Sequence, residues 1–226
     1  GKAAPDTLTA GPPWAGDRRS ADAVCFLTPT SDTTFLTSDG SKKLAAWNWP
    51  KAGNWSPVGK EWELNERPVG PGGVLPPAAP GDAPRLLLAD ATGSVWLYAT
   101  DRPTQSVRRW RPGGGLPAGK PTSPFVLQPD AGGRTVVTYT VENKFVVCLD
   151  PDRDLPRWAR QASEDADGSL VGSPRPAGQG RWLVSDLGGR VSLFDAEGEK
   201  AAAVPIGLAG VVPAVAAAPV GGTGVL

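Results

Sequence analysis

RLLLADATGSVWLYAT, residues Arg85–Thr100, holds two apolar runs on either side of a short polar turn. It is the second of four sixteen-residue blocks that align without gaps. The others are TFLTSDGSKKLAAWNW from Thr34, VVTYTVENKFVVCLDP from Val136 and RWLVSDLGGRVSLFDA from Arg181. Their starts lie 51, 51 and 45 residues apart. The second column reads Phe35, Leu86, Val137, Trp182; the eleventh reads Leu44, Val95, Val146, Val191; the fourteenth reads Trp47, Tyr98, Leu149, Phe194. Self-similarity at such a period marks a repeat architecture. An apolar run, a polar turn and a second run rich in β-branched and aromatic residues make each block a β-hairpin.

The sixth column carries Asp39, Asp90 and Asp186, with Val141 as the exception. An aspartate there accepts backbone N–H bonds inside the turn, and Gly93 and Gly189, three residues later, supply a positive φ. Recurrence at one repeat position gives these carboxylates a structural role in the turn.

Working outward, a further strand precedes each hairpin: AVCFL (23–27), GGVL (72–75), PFVL (124–127) and SLVG (169–172). A tryptophan follows three of them, Trp62, Trp110 and Trp158, and marks a closing strand. Units of about 45–50 residues with four short strands have the size and content of β-propeller blades. The expected fold is therefore all-β: a partial propeller of four-stranded antiparallel blades. The boundaries read 1–19 as leader or linker, 20–66, 67–115, 116–164 and 165–206 as blades one to four, and 207–226 as the start of a fifth.

Composition agrees. Glycine and proline number 29 and 25, about a quarter of the 226 residues, which disfavours helices, while nine tryptophans disfavour disorder. From Ala201 to Leu226 no charge occurs. Three prolines and five glycines in that stretch suit a crowded inner strand better than a membrane span, where backbone groups freed by proline and glycine find no water. A chain without methionine that stops inside a blade is expected to belong to a longer protein, or to a ring completed by missing blades or another chain.

Several chemistries are excluded or disfavoured. The absence of histidine removes Ser-His-Asp and Cys-His nucleophilic sites, histidine-ligated metals and histidine acid–base catalysis. With 23 basic and 23 acidic residues the formal net charge is zero, so no general polyanion surface is expected, and RRWR (108–111) reads as a strand edge rather than a nucleic-acid contact. Cys25 and Cys148 lie in apolar runs and read as small buried hydrophobes. GGLPAGKPT (114–122) has phosphate-loop spacing, but Pro121 replaces the magnesium-binding hydroxyl and no helix follows. DPDRDL (150–155) opens like a calcium loop but has Leu155 at the glycine position and Gln161 at the glutamate position. The sequon Asn54-Trp55-Ser56 precedes a proline and carries little weight.

The tryptophans and aspartates resemble the repeats of the pyrroloquinoline-quinone-like, quinoprotein dehydrogenase-like family. Its tryptophan-docking motif runs Ala-x-Asp-x-x-x-Gly-x-x-x-Trp. CLDPDRDLPRW carries Asp150 and Trp158 at that spacing, with Cys148 and Asp154 in place of alanine and glycine. FDAEGEK (194–200) has Asp195 but reaches Ala203 where the tryptophan would stand. WD-repeat propellers are the competing resemblance, through Trp47-Asn48 and Phe194-Asp195, but their Gly-His signature is absent. The quinoprotein resemblance implies an extracytoplasmic or periplasmic setting. In enzymes of this family it also implies an adjacent Cys-Cys disulfide, calcium and an aspartate base; this chain has no Cys-Cys pair.

The expected function is a non-catalytic scaffold that binds a protein or peptide partner through blade loops, with no cofactor, no metal and no catalytic residue in this segment. The alternatives are a fragment of a quinone-dependent dehydrogenase whose active-site residues lie outside this chain, and a WD-type interaction propeller.

Overall fold

The structure is a computed structural model describing residues 26–29, 34–38, 41–48, 56–59, 61–69, 72–100, 102–164, 169–205, 219–220 and 224–225. Among the described residues there is no helix, and so none long and apolar enough to cross a membrane. The chain forms a partial β-propeller. Blade one contains β1 (Phe26–Pro29), β2 (Thr34–Ser38), β3 (Lys43–Asn48), β4 (Ser56–Pro57) and β5 (Trp62–Glu63); the last two share the outer position, both paired to β3. Blade two contains β6 (Gly73–Leu75), β7 (Arg85–Ala89), β8 (Val95–Ala99) and β9 (Arg102–Trp110). Blade three contains β10 (Val126–Pro129), β11 (Thr135–Val141), β12 (Phe145–Leu149) and β13 (Trp158–Gln161). Blade four contains β14 (Leu170–Pro176), β15 (Trp182–Asp186), β16 (Arg190–Phe194) and β17 (Lys200–Pro205). Every strand pairing is antiparallel, and all but β3 with β5 join consecutive strands.

The aligned columns are the hairpin register. Column five faces column eleven in all four blades: Ser38–Leu44, Ala89–Val95, Thr140–Val146 and Ser185–Val191. Column two likewise faces column fourteen: Phe35–Trp47, Leu86–Tyr98, Val137–Leu149 and Trp182–Phe194. Cross-strand pairs of this kind are the local unit of sheet stability, and a one-residue slip would turn each apolar set to the wrong face.

Alternation along each strand gives every blade two apolar faces, and the core lies between blades. Leu36 and Leu44 of blade one meet Leu86, Leu88, Trp96 and Tyr98 of blade two. On its other face blade two sends Leu87, Val95, Leu97 and Trp110 against Val137, Tyr139, Val147 and Leu149 of blade three. Blade three then packs Val136, Val146, Cys148 and Trp158 against Trp182, Val184 and Phe194 of blade four. Each fully buried large side chain contributes roughly 1.5–3 kcal/mol of transfer free energy.

The outer strands are irregular. Val107 is the extra residue of a bulge in β9 and is 58% exposed, and Ala201 is the extra residue of a bulge in β17. Such bulges twist an outer edge away from straight pairing with another chain.

In blades two, three and four the first strands begin later than their apolar runs indicate. In blade three the pairing runs from Val126 to Pro129 rather than from Pro124, because Pro124 lacks the N–H a ladder needs. In blade four the strand extends to Pro176 through a register shift between Val171 and Arg175. Of AVCFL, residues 23–25 lie outside the described residues, and pairing is described from Phe26. Most of the stretch read as the first strand of a fifth blade also lies outside them; Pro219–Val220 (β18) pairs with Gly224–Val225 (β19) in a separate two-stranded sheet.

Candidate interaction surface: the turns and the joints between blades

One five-residue turn recurs at the blade ends. In Asp90-Ala91-Thr92-Gly93-Ser94, Asp90 Oδ1 accepts the Thr92 and Ser94 amides at 2.8 and 3.0 Å, and the Gly93 amide closes onto the Asp90 carbonyl at 3.0 Å. Asp130 does the same with the Gly132 and Arg134 amides at 2.8 and 2.9 Å, and Asp195 with those of Glu197 and Glu199 at 3.0 and 2.8 Å. Asp186 accepts the Arg190 amide at 2.9 Å. The fourth residue is glycine each time, with φ of 84° at Gly93, 78° at Gly133, 75° at Gly189 and 79° at Gly198. A side chain is strained there, which explains the residue choice.

Asp90, Gly93, Asp186 and Gly189 thus take the turn role read from the sequence, whereas Asp39 lies outside the described residues. The exception at Val141 has its own explanation. Glu142 and Asn143 adopt φ of 50° and 49°, a two-residue turn with both residues left-handed, and the Lys144 amide bonds the Val141 carbonyl at 3.0 Å. Asp130 and Gly133 were not singled out by the repeat alignment, because they lie between β10 and β11, outside the sixteen-residue blocks. The pattern Asp-x-x-Gly, present in DATG, DAGG, DLGG and DAEG, is the signal that finds them.

Two of these carboxylates, Asp90 and Asp130, are held as anions. Burial opposes ionisation of Asp90, but donors from Thr92, Trp96 and Ser94 outweigh it and keep its pKa below the ordinary value. Trp96 Nε1 donates to Asp90 Oδ2 at 2.7 Å, and the Arg109 guanidinium lies 4.0 Å from the Trp96 ring centroid. Asp130 is held near 2, chiefly by the Arg134 amide against the cost of burial, with Arg157, Gly132 and the Arg134 side chain adding to it. Arg157 Nη1 donates to Asp130 Oδ2 at 2.8 Å. Arg134 forks between two buried acids, reaching Asp130 at 3.2 Å and Asp150 at 3.6 Å, while Arg153 approaches Asp150 at 3.3 Å. A general acid or base needs a pKa near the working pH, and Asp90 and Asp130 are driven away from it.

The predicted tryptophans join blades in two registers. Trp110, opposite Val95, donates its Nε1 hydrogen to the Arg153 carbonyl of blade three at 3.1 Å. Trp158, opposite Cys148, donates to the Ala196 carbonyl of blade four at 3.0 Å, in the turn that Asp195 shapes. Beside each stands an arginine two residues away. Arg108, opposite Leu97, bonds the Pro151 carbonyl and, at 2.8 Å, Asp154; Arg160, opposite Val146, bonds the Gly198 carbonyl at 3.1 Å and Glu199 at 3.0 Å. Tryptophan and arginine have therefore exchanged register between blades two and three. Trp62, opposite Leu44, shares the Trp110 register and packs between blades one and two. In blade four those two places hold Ala202 and Val204.

Trp47 is half-buried and donates Nε1 to Thr37 Oγ1 at 2.9 Å, whereas Tyr98 and Phe194 are buried in the joints. Cys148 is buried, and burial pushes its thiol up to about 11. Cys25 lies outside the described residues.

No family model matches this chain, and no curated protein matches its sequence. Solved structures match its fold. They include BamB from Moraxella catarrhalis, at TM-score 0.52 and 14% identity over 81% of this chain and 50% of that one. BBS1N in complex with ARL6DN matches at TM-score 0.54 and 13% identity over 80% of this chain and 52% of that one. Sqt1 from Saccharomyces cerevisiae matches at TM-score 0.63 and 11% identity over 81% and 52%. All three are β-propeller proteins, and this chain spans about half the length of each.

Proposed function

We propose that this chain is a non-catalytic propeller scaffold that binds a protein or peptide partner through its blade loops. The observation that carries the reading is the use made of its buried acids. Asp90, Asp130 and Asp150 accept turn amides and face guanidinium or indole donors, so they shape and brace loops instead of addressing a reactant. Rigid turns on a packed scaffold are a common way to present a binding surface. One of the similar structures, BBS1N, was solved in complex with ARL6DN, which agrees with this reading.

Within propellers, the quinoprotein-like repeat is the finer reading. It is supported by the indole bonds of Trp110 and Trp158 to the next blade's turn, with Asp150 and Asp195 opening those turns. The test is a loop-by-loop substitution scan, including exposed Leu155 and Leu187, against partners recovered by cross-linking. Loss of saturable binding at one cluster of loops is expected. Unchanged binding throughout the scan, or turnover of an alcohol or sugar with added quinone, calcium and an artificial electron acceptor, overturns the reading.

A further inference from the structure

The outer strands of blades two and three carry the same two side chains, two residues apart, in opposite order. They read Arg108-Arg109-Trp110 in β9 and Trp158-Ala159-Arg160 in β13. Each strand offers two places for a long side chain. The place near the loop that joins the last two strands lies opposite Leu97 in blade two and Cys148 in blade three. The far place lies opposite Val95 and Val146. Blade two puts arginine near and tryptophan far, and blade three reverses them.

Each order meets a different receiving loop in the next blade. Blade three joins β12 to β13 with eight residues, 150–157. This loop receives Arg108 on the Pro151 carbonyl and the Asp154 carboxylate, and Trp110 on the Arg153 carbonyl at 3.1 Å. Blade four joins β16 to β17 with only five residues, 195–199. Its turn receives Trp158 on the Ala196 carbonyl at 3.0 Å and Arg160 on the Gly198 carbonyl at 3.1 Å, with Glu199 at 3.0 Å. Both indoles are buried.

The two seats are not interchangeable. The Trp158 ring lies where a Cβ on Gly198 would stand, so the near seat exists because that residue is glycine. Residues 150–157 include no glycine, so an indole in the near place of blade two would meet side chains. Conversely, β9 laid on the 195–199 turn would bring the Arg108 guanidinium to a seat that now holds an apolar ring, at a desolvation cost. Trp62 also takes a far place, opposite Leu44, but blade two joins β8 to β9 through residues 100–101 alone and has no such loop to receive it.

Repeats that resemble one another are liable to pair out of order while they fold. Specificity comes from mismatch with the wrong partner as much as from fit to the right one. We propose that the reversed tryptophan–arginine order is a pairing code that directs each outer strand to the loop of its own neighbour and rejects the other loop during folding. The code concerns assembly of the propeller and does not depend on what the scaffold binds.

The experiment refolds the chain from urea by dilution and measures recovered native monomer by size-exclusion chromatography. The Arg108→Trp/Trp110→Arg exchange gives β9 the order of β13 with composition unchanged. Trp110→Ala is its control: it empties the same joint without copying the other strand's order. The exchange should recover about half as much native monomer as the control, or less, because it adds a competing pairing to the lost clasp. Trp158→Arg/Arg160→Trp should fall short of Trp158→Ala in the same way at the next joint. Recovery by either exchange that equals or exceeds its alanine control, including the case in which neither refolds, assigns the clasps to stability alone and overturns the proposal.

Discussion

Trp158 packs its indole onto Gly198 of the next blade so closely that a Cβ on that glycine would stand 2.5 Å from ring atom Cδ2. Gly198 also has a φ of 79°. Gly198→Ala should therefore cost about 3 kcal/mol, combining a left-handed backbone with overpacking against a ring. Gly133, at φ 78° with nothing near its would-be Cβ, separates the two effects: Gly133→Ala should cost only about 1 kcal/mol. Urea denaturation of the two variants checks the difference.

Trp158→Ala should destabilise the protein by about 3–5 kcal/mol, since it empties the joint between blades three and four and leaves the Ala196 carbonyl without its donor. In that background Gly198→Ala should fall to about 1 kcal/mol, because only the backbone strain remains. A double-mutant cycle that closes additively would place the indole off the glycine.

Tyr139 sits fully buried between blades two and three, 5.1 Å centroid to centroid from Phe125, and its hydroxyl has no hydrogen-bond partner among the described residues. Burial pushes its pKa up. Tyr139→Phe removes an unsatisfied polar atom while keeping the ring, and should raise stability by about 1 kcal/mol. A loss of stability in thermal melts would reveal a partner for the hydroxyl.

Asp130 has a depressed pKa in the folded protein, so its contribution is present above the unfolded carboxylate value and is lost as pH falls through about 2. Asp130→Asn should destabilise the protein by about 2 kcal/mol at neutral pH by weakening charge-assisted bonds to Arg157 and the turn amides. The gap between variant and parent should narrow between about pH 4 and pH 2. Denaturation midpoints across that range read it directly, and a pH-independent gap would assign the loss to packing.

Cys148 is buried with its thiol pushed up to about 11, so little thiolate forms at pH 8. In a Cys25→Ser background, a colorimetric thiol reagent should leave Cys148 untouched in the native protein and modify it on unfolding. Rapid labelling of the native protein would contradict its place in the joint.

Residue order alone dictates local structure. Alternation and turn chemistry operate over a few residues, so aligning four blocks aligns four hairpins, down to Ser38–Leu44, Ala89–Val95, Thr140–Val146 and Ser185–Val191 as equivalent pairs. The turn residues Asp90, Gly93, Asp186 and Gly189 were legible for the same reason, whereas Asp130 and Gly133 lie outside the aligned blocks. The joints were not legible. Trp110 and Trp158 look equivalent along the chain, yet Trp110 ends a nine-residue strand carrying the Val107 bulge, while Trp158 opens a four-residue strand after the eight residues 150–157. Loop length and the bulge set where each outer strand enters the sheet, and that entry decides which neighbour the indole meets. Only the tertiary structure also brings Arg134 between Asp130 and Asp150, because guanidinium reach depends on two separate turns stacking at one blade end. Contacts within a hairpin follow from residue order, whereas contacts between blades follow from sheet geometry accumulated over whole repeats.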